Sequence, residues 1–163
     1  MTPTGQADEF IWCDDFLLGY QPMDETHEEF VTLVHAMQAA SDADFLPIYD
    51  SFIEHAVRHF DQEKDWMSLE GYPAKDCHVH EHDQVMNSLV GCRPKIVAGD
   101  MELGRALVAE LERWFPGHAD YMDSALAKWM VKRNTGGSPV VIKRSPPRRR
   151  VPGAEQAEQA KQI

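Results

Sequence analysis

Two pairs of side chains at helical spacing constrain this chain more than any other feature. Both lie between His55 and His82, in HAVRHFDQEKDWMSLEGYPAKDCHVHEH: His59 with Glu63, and His78 with His82. Residues i and i+4 share one face of an α-helix, one turn apart. Each pair can therefore aim two donor atoms at a single point beside its helix. Gly71-Tyr72-Pro73, between the pairs, is a helix-ending signal. The stretch predicts helix, tight turn, helix. In antiparallel neighbours the two faces would meet across roughly 8–10 Å, which leaves room for one or two metal ions.

The flanking sequence predicts two more helices. A first helix begins at Asp24, a good N-cap, and carries an inward stripe of His27, Phe30, Val34 and Met37. Taken alone, an inward His27 reads as a hydrogen-bonded core residue. The second helix spans about 45–69 after a capping segment at 41–44, with Pro47 in its first turn. Phe52, Ala56, His59, Glu63 and Trp66 form its inner stripe. The third spans about 74–97, with His78, His82, Val85, Leu89, Cys92 and Ile96 inward and Pro94 near its end. Asp100 caps a fourth helix over about 101–133, whose stripe is Leu107, Leu111, Trp114, His118, Met122, Ala125 and Trp129. Pro116-Gly117 interrupts that stripe. His118 and Asp123 lie five residues apart, about 140° round an ideal helix. They can share a site only from flanking positions, helped by a local bend.

The predicted fold is all-α: an up-down-up-down four-helix bundle over 23–135. An N-terminal arm, 1–22, packs on it through Phe10, Ile11, Trp12, Phe16, Leu17 and Leu18. From Gly136 onward the prolines break every amphipathic period, so 136–163 reads as a disordered basic tail in which Val140–Ile142 can dock locally. That tail has six basic residues against two acidic ones, in a chain of 163 residues with a net charge of −11. The body is therefore strongly acidic, which argues against nucleic acid as the main partner. Arg148-Arg149-Arg150 offers at most a weak contact to an anionic partner. No run of about 18 apolar residues predicts a membrane span. The N-terminus lacks the basic start and apolar run of a secretory leader. Three cysteines, Cys13, Cys77 and Cys92, give no disulfide framework. The expectation is a cytoplasmic protein with reduced thiols.

Collected by face, the inward polar groups are His27, His59, Glu63, His78, His82, His118 and Asp123. Five imidazoles and two carboxylates at one level of a small bundle are costly to bury unpartnered. Divalent metals bind neutral imidazole and ionised carboxylate, and so satisfy both kinds together. Seven donors exceed the needs of one four- or six-coordinate ion, whereas two ions sharing the carboxylates fit the count. Zinc or copper would suit the imidazoles as well as iron does. The chain has no HExxH motif and no Glu-x2-His pairs on two helices, which weakens the zinc-protease and ferritin-like readings.

From about residue 12 to 133 the sequence resembles the bacterial hemerythrins. The resemblance rests on Met23-Asp24 leading to His27, HF-x2-E at His59-Phe60 and Glu63, and the Tyr72-Pro73 turn. It also includes H-x3-H at His78 and His82, and H-x4-D at His118 and Asp123. It implies a non-haem centre of two iron ions. His78, His82 and His118 would hold one ion and His27 and His59 the other, with Glu63 and Asp123 bridging them. The second ion would keep an open position for dioxygen. The implied function is reversible dioxygen binding, for storage, delivery or sensing, with no catalytic residues. The alternatives are reduction of peroxide or nitric oxide, and an iron or redox sensor. His55, one turn before His59, reads as structural or as a partner of the ligands. Tyr121 and His55 are the acid candidates for enzyme chemistry. His35 and His80 read as solvated.

Overall fold

The computed structural model of the chain describes residues 9–144. Residues 1–8 of the expected arm and 145–163 of the expected tail, including Arg148–Arg150, lie outside the described residues. The described residues are helical and contain no strand. Helix α1 spans Gln21–Ala39, α2 Asp42–Met67, α3 Lys75–Val97, α4 Met101–His118 and α5 Ser124–Thr135. A short 3-10 turn, Asp14–Phe16, precedes them, and a π-helical turn, Ala119–Asp123, joins α4 to α5. The joined α4, π-turn and α5 act as one long fourth member. Each member packs on its sequence neighbours, and the first packs on the fourth. The short connections make neighbours antiparallel, giving an up-down-up-down four-helix bundle.

Several boundaries differ from the sequence expectation for definite reasons. Helix α1 begins at Gln21, before Asp24, because Pro22 supplies the fixed φ of a first turn. Asp24 is not the N-cap. Its carboxylate instead accepts the N–H groups of Leu18 (2.7 Å) and Gly19 (3.0 Å), tying the arm to the start of α1. Helix α2 begins three residues before Phe45, because Ser41 caps it by accepting the N–H of Asp44. Pro47 consequently sits in the second turn. Pro94 and Pro116 lie inside α3 and α4 without ending them.

The apolar interior falls into two clusters. The larger contains Phe30, Val34, Met37, Phe45, Tyr49, Phe52, Phe60, Leu89, Val108, Leu111 and Phe115. The arm closes it, with Phe10 and Phe16 both against Phe115. A smaller cluster of Met23, Met67, Leu126, Ala127 and Met130 lies toward the other end, edged by Trp66 and Trp129. The stripe expected on the fourth member holds at Leu111 and His118 and is elsewhere shifted by one residue. Phe115, Asp123, Leu126 and Met130 are buried, where Trp114, Met122, Ala125 and Trp129 were expected inward.

Residues 139–144 do meet the body. Pro139 and Val141 pack beside Gly19, whose φ of +83° and 2.9 Å clearance to Pro139 leave no room for a β-carbon. Lys143 pairs with Asp15 at 2.9 Å, and the Arg144 N–H is donated to Asp14 Oδ2 at 2.5 Å. Val140 and Ile142 themselves remain largely exposed. No helix of the described chain is long and apolar enough to cross a membrane.

Candidate metal centre

Between the two clusters, all four members of the bundle turn polar side chains inward. Helix α1 presents His27; α2 presents His59 and Glu63; α3 presents His78 and His82. Helix α4 ends on His118, and the π-turn ends on Asp123. All seven side chains are buried. The two i, i+4 pairs reach the centre because ordinary α-helix aligns them. His118 and Asp123 reach it because a π-turn bonds i to i+5, bringing positions five apart onto one face. The π-turn also carries the inner face of α5 forward by one residue, which accounts for the shifted stripe there.

Glu63 and Asp123 lie at the middle of the group. Glu63 Oε1 is 2.9 Å from His59 Nε2 and 3.5 Å from His27 Nε2. Its other oxygen is 3.2 Å from His78 Nε2 and 3.4 Å from His82 Nε2. Asp123 divides in the same way. Oδ2 is 3.2 Å from His27 Nε2, while Oδ1 is 2.9 Å from His78 Nε2 and 3.2 Å from His118 Nε2. Each carboxylate thus turns one oxygen to His27 and the other toward His78. His118 Nε2 is 3.1 Å from His78 Nε2 and 3.0 Å from His82 Nε2.

These contacts are poor substitutes for hydrogen bonds. His27 Nε2, Glu63 Oε2 and both Asp123 oxygens are buried with no hydrogen bond of acceptable geometry. His118 Nε2 faces two imidazole nitrogens at once and cannot share a proton well with both. Two nitrogens bound to one ion at about 2.1 Å and at right angles would lie about 3.0 Å apart. The observed spacings match that value. Two sets of donors can hold an ion: Glu63, His78, His82, His118 and Asp123, and His27, His59 and Glu63.

The protonation state is that of a site competing for cations. Burial opposes charge on His27, but the Asp123 and Glu63 carboxylates outweigh it and raise its pKa to about 9. The same balance raises His78 to about 9. His118 is also raised, with Asp123 outweighing its burial. Burial lowers His82 to about 3. Burial and mutual repulsion disfavour ionised Glu63 and Asp123, yet the surrounding imidazoles hold both well below the usual carboxylate range.

Aromatic rings fix the imidazole planes. His82 stacks on Phe60 at 3.9 Å and His118 on Trp114 at 4.3 Å. His27 meets the edge of Phe115 at 5.1 Å, and Phe115 stacks on Phe30 at 4.4 Å. Phe115 was missed in the sequence because it stands one position off the expected stripe. His55 is buried beside His59, with Nδ1 3.1 Å from Glu29. Burial, then His59, lowers its pKa to about 4. Tyr121 is 80% exposed and stands away from the donors. His80 is exposed, whereas His35 is half-buried rather than solvated.

Deleting Tyr121 should leave metal uptake intact. The deletion would put Asp123 four residues after His118, the ordinary α spacing for one face, and would keep the α5 stripe in phase. Metal content measured after refolding with excess ferrous iron should match that of the parent chain. Loss of an ion would show that the π-turn sets more than phase.

A family model described as Hemerythrin HHE cation binding domain matches residues 18–130. A protein named bacteriohemerythrin from Ralstonia nicotianae is 40% identical over 122 residues, covering 75% of this chain and 89% of the relative. Another of that name, from Clostridium acetobutylicum, is 24% identical over 101 residues, covering 57% of this chain and 78% of the relative. No solved structure matches significantly.

Proposed function

The chain belongs to the hemerythrin family, and from that premise we propose that it binds dioxygen reversibly at a pair of iron ions. His78, His82 and His118 would hold one ion, His27 and His59 the other, and Glu63 and Asp123 would bridge them. The observation that carries the reading is the unequal division of imidazoles, three against two, about carboxylates whose oxygens face both ways. The ion on the side with fewer donors would keep a coordination position that no protein donor fills. Two ferrous ions bound there would supply an open position and two electrons to dioxygen.

The chain's own residues suit a carrier. The Phe30, Phe60 and Phe115 rings beside His27 and His59 form an apolar wall that keeps water from that side. Glu63 and Asp123 offset the charge of the cations. Neither acid candidate for enzyme chemistry stands free at the site: Tyr121 faces solvent, and His55 is held by Glu29. The three cysteines are free thiols, in keeping with a reducing cytoplasmic setting.

Repeated oxygenation of the reduced protein is the test. The absorption spectrum should cycle with gas exchange, with about one dioxygen taken up per iron pair, and peroxide turnover measured in parallel should be negligible. Oxidation after a single exposure, with sustained consumption of peroxide or nitric oxide, would assign the site to a reductase.

A further inference from the structure

Of the five convergent imidazoles, His118 is the one whose outer nitrogen meets a carboxylate. Glu81 Oε2 lies 2.7 Å from His118 Nδ1. Among the described residues, the Nδ1 atoms of His27, His59 and His78 are buried without a hydrogen-bond partner. Glu81 stands on α3 between His78 and His82 and reaches across to α4, so one helix supplies two donors and the partner of a third. On the same ring, Trp114 stacks at 4.3 Å with an interplanar angle of 25°. Glu81 and Trp114 also line a surface groove of about 220 Å³ between α3 and α4. The Glu81 side chain is 36% exposed, so its contact to His118 lies at the border of the protein and solvent.

We propose that Glu81 is a positioning residue that sets the tautomer and donor strength of His118, and through it the redox poise of the ion held by His78, His82 and His118. A carboxylate on Nδ1 demands N–H there, which leaves the Nε2 lone pair pointing inward at His78 and His82. The acceptor also makes the imidazole a stronger donor, as outer carboxylates do for metal-bound histidines. Its negative charge near the ion favours the higher oxidation state. Trp114 fixes the ring's plane while Glu81 fixes its rotation within that plane. The inference rests on the metal-centre reading above, but it concerns a residue outside the seven donors.

The test compares full-length Glu81→Ala and Glu81→Gln with the parent chain, each loaded anaerobically with ferrous iron. Three quantities are read: metal per chain, the rate of loss to a chelator, and the midpoint potential. Glu81→Ala should lose the ion on this side roughly 10–100-fold faster and shift the potential upward. Glu81→Gln keeps an acceptor without the charge, so it should restore much of the retention while its potential stays raised. Unchanged retention and potential in Glu81→Ala overturn the proposal. So does a fall in apo-protein melting temperature with the potential unmoved, which would make Glu81 only a tie between α3 and α4. If the parent chain loads zinc but no iron, the di-iron reading fails while zinc loss rates still decide the role of Glu81. A parent chain that holds no metal overturns both.

Discussion

A Glu63→Gln chain is expected to keep its helices and lose both ions. The two oxygens of Glu63 face opposite halves of the site. Oε1 lies within 3.5 Å of His27 and His59, and Oε2 within 3.4 Å of His78 and His82. Glutamine preserves the volume but replaces one oxygen by an NH2 group, which only donates. Whichever way the amide turns, one set of imidazoles faces a group that cannot bind a cation. The lost negative charge weakens the other side as well. Losing a shared ligand should exceed the 10–100-fold cost of losing an outer partner, so affinity should fall on the order of 100-fold or more at each ion. Single-sided variants provide the contrast. His27→Ala should empty mainly the side it shares with His59, and His118→Ala mainly the side it shares with His78 and His82. Elemental analysis gives iron per chain, and far-ultraviolet circular dichroism confirms that the bundle persists. Parental iron content in Glu63→Gln would remove Glu63 from its bridging role.

The sequence carried the parts of this architecture that obey a single period. His59 with Glu63 and His78 with His82 need only 3.6 residues per turn to converge, so their pairing was legible at once. The bundle followed from the same stripes and from the short turns between them. His118 with Asp123 was different, because no regular α-helix puts i and i+5 on one face. The sequence could join them to the site only by supposing flanking positions and a local bend, and the spacing itself found a match only in the family pattern. The physical cause is the π-turn at Ala119–Asp123, a local change of hydrogen bonding with no plain composition signal. Its downstream effect misplaced the α5 stripe: a constant 3.6 period run past His118 selects Met122 and Trp129, whereas the chain buries Asp123 and Met130. Asp24 was misread for another reason. Aspartate before an apolar stripe is a good N-cap, but Pro22 starts the helix earlier and frees Asp24 to bind the arm. Glu81 was overlooked because it lies on the flank of the α3 face, and only the approach of α4 turns that flank into a contact with His118.

Removing the metal should make the protein sensitive to alkali. In the apo-protein, His27 and His78 are raised from 6.5 to about 9 by the carboxylates that outweigh their burial. A raised folded pKa means that the folded chain holds protons the unfolded chain has already released. Their stabilisation is therefore complete below about 6.5 and is lost as pH rises through about 9. Two such groups can contribute a slope of up to roughly 3 kcal/mol per pH unit inside that window. On the acid side the sign reverses. His82, lowered to about 3, and His55, lowered to about 4, stay neutral in the fold while the unfolded chain takes up their protons. Glu63 and Asp123, held low by the imidazoles, lose their stabilisation as pH falls further. Apo-protein stability should accordingly peak near pH 6.5. The loaded protein carries no protons on its ligand nitrogens, so its stability should rise through about 6.5 and then level off. The gap between the two forms should widen toward pH 9. Ferrous iron added to apo-protein at pH 7 should also displace at least two protons per chain, from His27 and His78, with His118, whose pKa is also raised, adding to them. Urea titrations of both forms at several pH values, with proton release followed in weakly buffered solution, measure each quantity. Parallel stability curves between pH 6.5 and 9, with no proton release, would mean that these imidazoles do not meet the metal.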